Sequence, residues 1–243
     1  WGRVWVVVGV SVSASLFFAL PPTGVALRWS REVLSSAAYV GSAWISLQVA
    51  ILVTVSASVV GCMAAIGINR RALPGSGALA TFFLSPLVLP TIIYAIGMLM
   101  LWSAIFGPVS VVTLWIGHTV VTTPYVVRTT LAVLSEADPY LEEAAQTMGA
   151  NRIRRLWLVV LPQCLPGLAA GAFFAFNISF DEAVLSLFLR RPGLTTLPVQ
   201  IYGQLEFSPD PSVAAVSTIM IGLTVLLILV IDRVLGLQRF SNA

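Results

Sequence analysis

Five polar side chains interrupt an otherwise apolar run: Asn177, Ser179, Asp181, Glu182 and Ser186. Counting from Gly167, Asp181 would lie about 21 Å along a helix, inside a bilayer or towards one face of it. A carboxylate near the centre of a spanning helix costs about 2.5–3.5 kcal/mol on insertion scales, so two neighbours need water or a partner. Asn177 and Asp181 share a face at i, i+4, while Glu182 and Ser186 share the next one. One reading makes Asn177, Asp181 and Glu182 a cavity wall that attracts a cationic solute. The plainer reading is hydrogen-bonded bundle packing or helix-end capping. Other chemistry is poorly supplied. His118 is the sole histidine and the cysteines, Cys62 and Cys164, are far apart in sequence, so no metal site or cofactor is expected. The chain has no lysine, which rules out a phosphate-binding G-x-x-x-x-G-K-[ST] loop.

A second patterned stretch lies between Arg128 and Pro166, where charge is concentrated. Asp138-Pro139 reads as a helix start, with the aspartate capping free N–H groups and proline at the first position. Tyr140, Leu141, Ala144, Ala145 and Met148 form one apolar face, and Glu142 and Glu143 sit where the helix dipole favours negative charge. Gly149 is placed to end the helix in a left-handed conformation, and Asn151 to cap a second helix bearing Arg152, Arg154 and Arg155. Residues 135–162 are thus expected to form a short helix, a glycine corner and a helix returning towards Leu161-Pro162. Such a knob suits a groove on another protein. An amphipathic helix resting on lipid headgroups is the alternative.

The elements around these residues must be membrane helices. Apolar residues make up 58% of the 243 and charged ones 9%, against about 25% in ordinary soluble domains. Mean hydropathy is +0.96. The charge-free gaps accommodate six spans, near Val4–Leu20, Ser42–Ile68, Ala78–Leu101, Val109–Val127, Gly167–Leu189 and Val213–Ile231. Gly107-Pro108 parts the third from the fourth. Val4–Leu20 is read as an uncleaved first helix, because Pro21-Pro22 and five further spans follow. The fold class is all-α, a polytopic membrane protein in one domain over 1–243.

With the first residues inside, Arg3, Arg70, Arg71, Arg128, Arg152, Arg154, Arg155, Arg233 and Arg239 face the cytoplasm, and Arg28, Arg31, Arg190 and Arg191 face out. That asymmetry places both termini in the cytoplasm. The basic balance then reflects topology, and no nucleic-acid partner is expected.

Glu143-Ala144-Ala145, three residues, Gly149, nine residues, Val159, one residue and Leu161-Pro162 resemble the EAA signature of permease subunits of binding-protein-dependent ABC importers. Only Val159, in place of isoleucine, departs from it. Ser179-Phe180-Asp181-Glu182, Leu197-Pro198 and Ile201-Tyr202, with Pro86 and Pro90, resemble the spermidine/putrescine-type branch. The resemblance implies the type I ABC importer permease fold in a bacterial inner membrane, with Glu143, Ala144, Ala145 and Gly149 as ATPase-coupling residues. It implies as partners ATP-binding cassette subunits, a second and homologous permease subunit, an extracytoplasmic substrate-binding protein and membrane lipid. The chain itself would be non-catalytic, and its solute a polyamine or similar cation. A stand-alone ion-coupled transporter is the competing class. It predicts inverted repeats and charges buried in both halves, whereas the first four spans carry no Asp, Glu, Lys or Arg.

Overall fold

The computed structural model describes residues 2–11, 13, 28–69, 75–138, 140–207 and 211–235. Its elements, in order, are α1 (Gly2–Ser11), α2 (Arg28–Ser35), α3 (Ala37–Asn69), α4 (Ser76–Leu84), α5 (Thr91–Ile105), α6 (Val111–Glu136), α7 (Tyr140–Thr147), α8 (Arg152–Arg155), α9 (Leu161–Asp181), α10 (Val184–Phe188), α11 (Leu197–Phe207) and α12 (Ser212–Leu235). A 3₁₀ turn at Ser85–Leu87 follows α4, and a π turn at Leu156–Val160 joins α8 to α9. An isolated β-bridge joins Arg191 and Leu194. The chain is all-α.

Two helices, Ala37–Asn69 with 33 residues and Arg152–Asp181 with 30, are long and apolar enough to cross a membrane. The expected third span, Ala78–Leu101, is not one straight helix. Ser76–Leu87 and Thr91–Ile105 meet at 99°, so the pair is a broken span or a re-entrant loop. Pro86 lies in the 3₁₀ turn and the carbonyl of Pro90 accepts from Ile93 and Tyr94, opening a new helix. Six crossings are therefore not all reproduced: among the described residues two helices qualify, or three with the bent pair. α6 has the length, 26 residues, but its threonines, His118, Pro124 and Arg128 dilute its apolar character. α12 covers the expected sixth span. For the first, Val4 to Ser11 lies in α1, and residues 12 and 14–20 fall outside the described residues.

The expected fifth span, Gly167–Leu189, needs correcting at both ends. Its helix begins upstream at Arg152 and breaks after Asp181. The side chain of Glu182 then accepts from the Leu185 N–H at 3.1 Å and starts α10.

The described residues cluster into two compact units. In the first, α1, α2 and α11 pack on α12. Tyr39 Oη bonds Ser212 Oγ at 3.1 Å, and the Leu197 N–H donates to Ser46 Oγ at 2.8 Å. In the second, Ala50–Tyr94 and Trp115–Ser179, small residues let backbones approach closely. A methyl group added at Gly167 would come within 2.5 Å of the Thr129 carbonyl oxygen, and one at Gly171 within 2.7 Å of Val126 Cα. A buried cluster of Cys62, Ala65, Leu134, Val160 and Cys164 lies nearby. The two cysteines, distant in sequence, thus meet in one core, as free thiols.

Candidate functional site

The segment from Asp138 to Val160 is built by local codes. Asp138 Oδ1 accepts from the Tyr140 N–H at 2.9 Å, which starts α7. Pro139, expected at its first position, lies outside the described residues. α7 ends where Gly149 adopts φ +84°, a conformation in which any Cβ is strained. The Ala150 N–H returns to the Ala145 carbonyl at 3.0 Å and the Gly149 N–H to that of Gln146, satisfying the last acceptors of the helix. Nothing lies within 4 Å of a Cβ built on Gly149, so conformation and not space requires glycine there. Asn151 caps the next helix, its Oδ1 accepting from the Arg154 N–H at 2.9 Å.

α7 has two unlike faces. Tyr140, Leu141 and Met148 are 71%, 51% and 81% exposed, and Glu143 and Ala144 are exposed with them. Ala145, expected on the same apolar face, is instead buried. On that inner side Arg155 Nη1 donates to Gln146 Oε1, and Arg155 Nε stands 3.7 Å from Glu142 Oε1. A cavity of about 320 Å³ lies beside them, lined among others by Asn69, Asp138, Glu142, Gln146, Arg155 and Gln163. The structure thus gathers Glu143, Ala144, Ala145 and Gly149 on one short helix and its corner. The part played by Arg155 was not read from the sequence, where only the charge of the run was visible.

The second candidate group is less convergent. Asn177 donates from Nδ2 to the Phe173 carbonyl of its own helix at 2.9 Å. Asp181 is exposed and is the last residue of α9, not a mid-helix carboxylate. Glu182 accepts a backbone N–H in the first turn of α10. Ser179 Oγ lies 3.0 Å from His118 Nδ1, both buried, so the sole histidine has a packed, hydrogen-bonded place. Trp115 donates from Nε1 to Ser56 Oγ at 2.9 Å.

The family model described as binding-protein-dependent transport system inner membrane component matches residues 57–239. The putrescine transport system permease protein PotI of Escherichia coli (strain K12) is 29% identical over 206 residues, covering 82% of this chain and 73% of that protein. The spermidine/putrescine transport system permease protein PotC of the same organism is 26% identical over 212 residues, covering 87% and 80%. Among solved structures, a bacterial ABC transporter involved in the import of the acidic polysaccharide alginate contains a chain that superposes with TM-score 0.68 at 15% identity. The match covers 96% of this chain and 89% of that one, and establishes likeness of fold. With most of its length inside the family model, this chain belongs to the inner membrane components of binding-protein-dependent transport systems.

Proposed function

We propose that this chain is the permease subunit of an ATP-driven importer, forming half of a pathway for a polyamine or similar cationic solute. Glu143, Ala144, Ala145 and Gly149 dock α7 onto a separate ATP-binding cassette subunit. Chemistry happens in that partner, and this chain converts its motion into a shift between inward- and outward-facing states. A second, homologous permease completes the pathway and an extracytoplasmic binding protein delivers solute. The chain acts as one unit in a bacterial inner membrane, with both termini in the cytoplasm.

The observation that carries this reading is the outer face of α7. Tyr140, Leu141, Ala144 and Met148 stand exposed on a helix fixed at both ends by caps, a shape suited to a protein groove. Asn177, Asp181 and Glu182 are proposed to line the solute path, with exposed Asp181 as the attracting charge. The names of the two permease relatives favour a polyamine.

The test is uptake by the complete transporter reconstituted in vesicles, over a panel of putrescine, spermidine, amino-acid derivatives and metal chelates. Glu143→Arg and Gly149→Pro should each abolish ATP-coupled uptake while the chain still inserts and assembles. Unchanged coupling in both variants would refute the docking role. Uptake that persists without any ATPase subunit would favour an ion-coupled transporter instead.

A further inference from the structure

The inner face of α7 carries an arrangement that docking does not explain. At 100° per residue, Glu142 and Gln146 point away from Tyr140 and Ala144, towards the chain's own second unit. There they meet Arg155, through the Nη1–Gln146 Oε1 hydrogen bond and the 3.7 Å ion pair to Glu142. The guanidinium is largely buried, its side chain 13% exposed. The planar fork reaches one residue by a hydrogen bond and the other by charge, on successive turns of one helix, with less ordering cost than a flexible ammonium. Besides this contact, α7 approaches the π turn at Leu156–Val160. Ala145 is the buried residue of α7, and the cavity of about 320 Å³ lies alongside where packed side chains would otherwise stiffen the joint. Arg155 also stands at the foot of the 30-residue helix Arg152–Asp181, immediately before the π turn at Leu156–Val160. Motion of α7 can pass to that helix through the chain corner at Gly149, through the approach of α7 to the π turn, or directly through Arg155. The corner is exposed and meets nothing beside its α-carbon, so it is the compliant route.

We propose that Arg155 is a positioning residue that locks α7, through Glu142 and Gln146, to the foot of the Arg152–Asp181 helix, making the two one lever. The inference rests on the coupling role of α7 given above and adds the link that makes it mechanical. In the assembled transporter, spin labels placed at Thr147 and Leu158, both exposed, report the separation of α7 from that foot. One narrow distance should persist with and without trapped ATP. Arg155→Ala should broaden it while the ATPase subunit stays bound, and uptake of putrescine per ATP hydrolysed should fall about fivefold or more. Arg155→Lys should recover only part of this, and the exchange Arg155→Glu with Glu142→Arg should restore a narrow distance where either single change does not. A distance that changes on ATP trapping in the native protein, or one left narrow by Arg155→Ala, would overturn the lock. So would an exchange variant no better than the single ones, or loss of the ATPase subunit in Arg155→Ala. Failure of the underlying reading looks different: Glu143→Arg and Gly149→Pro would then leave coupling intact whatever the label distances.

Discussion

Asp181 occupies the carboxyl end of α9, where the helix dipole disfavours negative charge by about 0.3–1 kcal/mol. Its neighbour Glu182 stands at the start of α10, where a carboxylate is favoured and its Oε1 holds the Leu185 N–H. Adjacent carboxylates therefore differ in work: one accepts a backbone N–H in the first turn of α10, the other is an exposed charge at an unfavourable place. Asp181→Asn should weaken the apparent affinity for spermidine about two- to fivefold, the worth of one exposed ion pair, and the difference should shrink as salt rises. The concentration dependence of vesicle uptake measures this. An unchanged curve at low salt would return Asp181 to the role of a helix end. Glu182→Ala should instead lower thermal stability, by the ~1 kcal/mol typical of a lost hydrogen bond. At this scale the sequence was readable wherever the code is local: Asp138, Gly149 and Asn151 do in the structure what their types and spacing announced. It was not readable at Asp181, because the break after it contains neither glycine nor proline, and not at Arg155, whose partners lie a helix away.

Helices α3, α6 and α9 pack through small residues, and that contact was written in the sequence as Gly167-x-x-x-Gly171 without being read. Gly61 takes part as well, since a Cβ there would lie 2.7 Å from that of Val126. An added side chain at Gly171 would meet Thr129 Oγ1 at 2.6 Å and backbone Cα of Val126 at 2.7 Å, so it has no cheap escape. Gly171→Val should lower stability by about 1–3 kcal/mol, seen as an earlier midpoint of heat-induced aggregation in detergent. Gly222→Ala in α12, with nothing within 4 Å of the new methyl, is the control and should leave the midpoint in place. Equal midpoints for both variants would mean that the close approach does not hold the helices together. The bent α4–α5 pair shows the opposite limit of legibility. Hydropathy counts apolar residues but is blind to direction, so Ala78–Leu101 read as one rod although Pro86 and Pro90 stand in plain view. Proline alone does not decide, since Pro124 and Pro166 sit inside helices that continue through them.

Across the molecule, the cluster that joins Cys62 and Ala65, late in α3, to Cys164, early in α9, sets the sense of the two long helices. The end of α3 and the beginning of the Arg152–Asp181 helix lie at one level, so the helices run antiparallel within the second unit. Each is longer than a bilayer core needs, about 50 Å and 45 Å at 1.5 Å per residue against about 30 Å. Their excess can project beyond the lipid on the side where α7 stands. In sequence Arg70 and Arg71 come directly after α3, and Arg152, Arg154 and Arg155 open the other helix at the level where α3 ends. By the positive-inside rule that face is the one expected in the cytoplasm, the side on which the proposed ATP-binding partner would act. Arg190 and Arg191 follow the far end of the second helix and should face outward. A fluorescent protein fused after Ala150 should therefore fold and glow, whereas alkaline phosphatase fused after Arg191 should be active and after Ala150 silent. The reverse pattern would put α7 on the wrong side of the membrane for any ATP-driven partner, and the coupling role of Glu143, Ala144, Ala145 and Gly149 would fall with it.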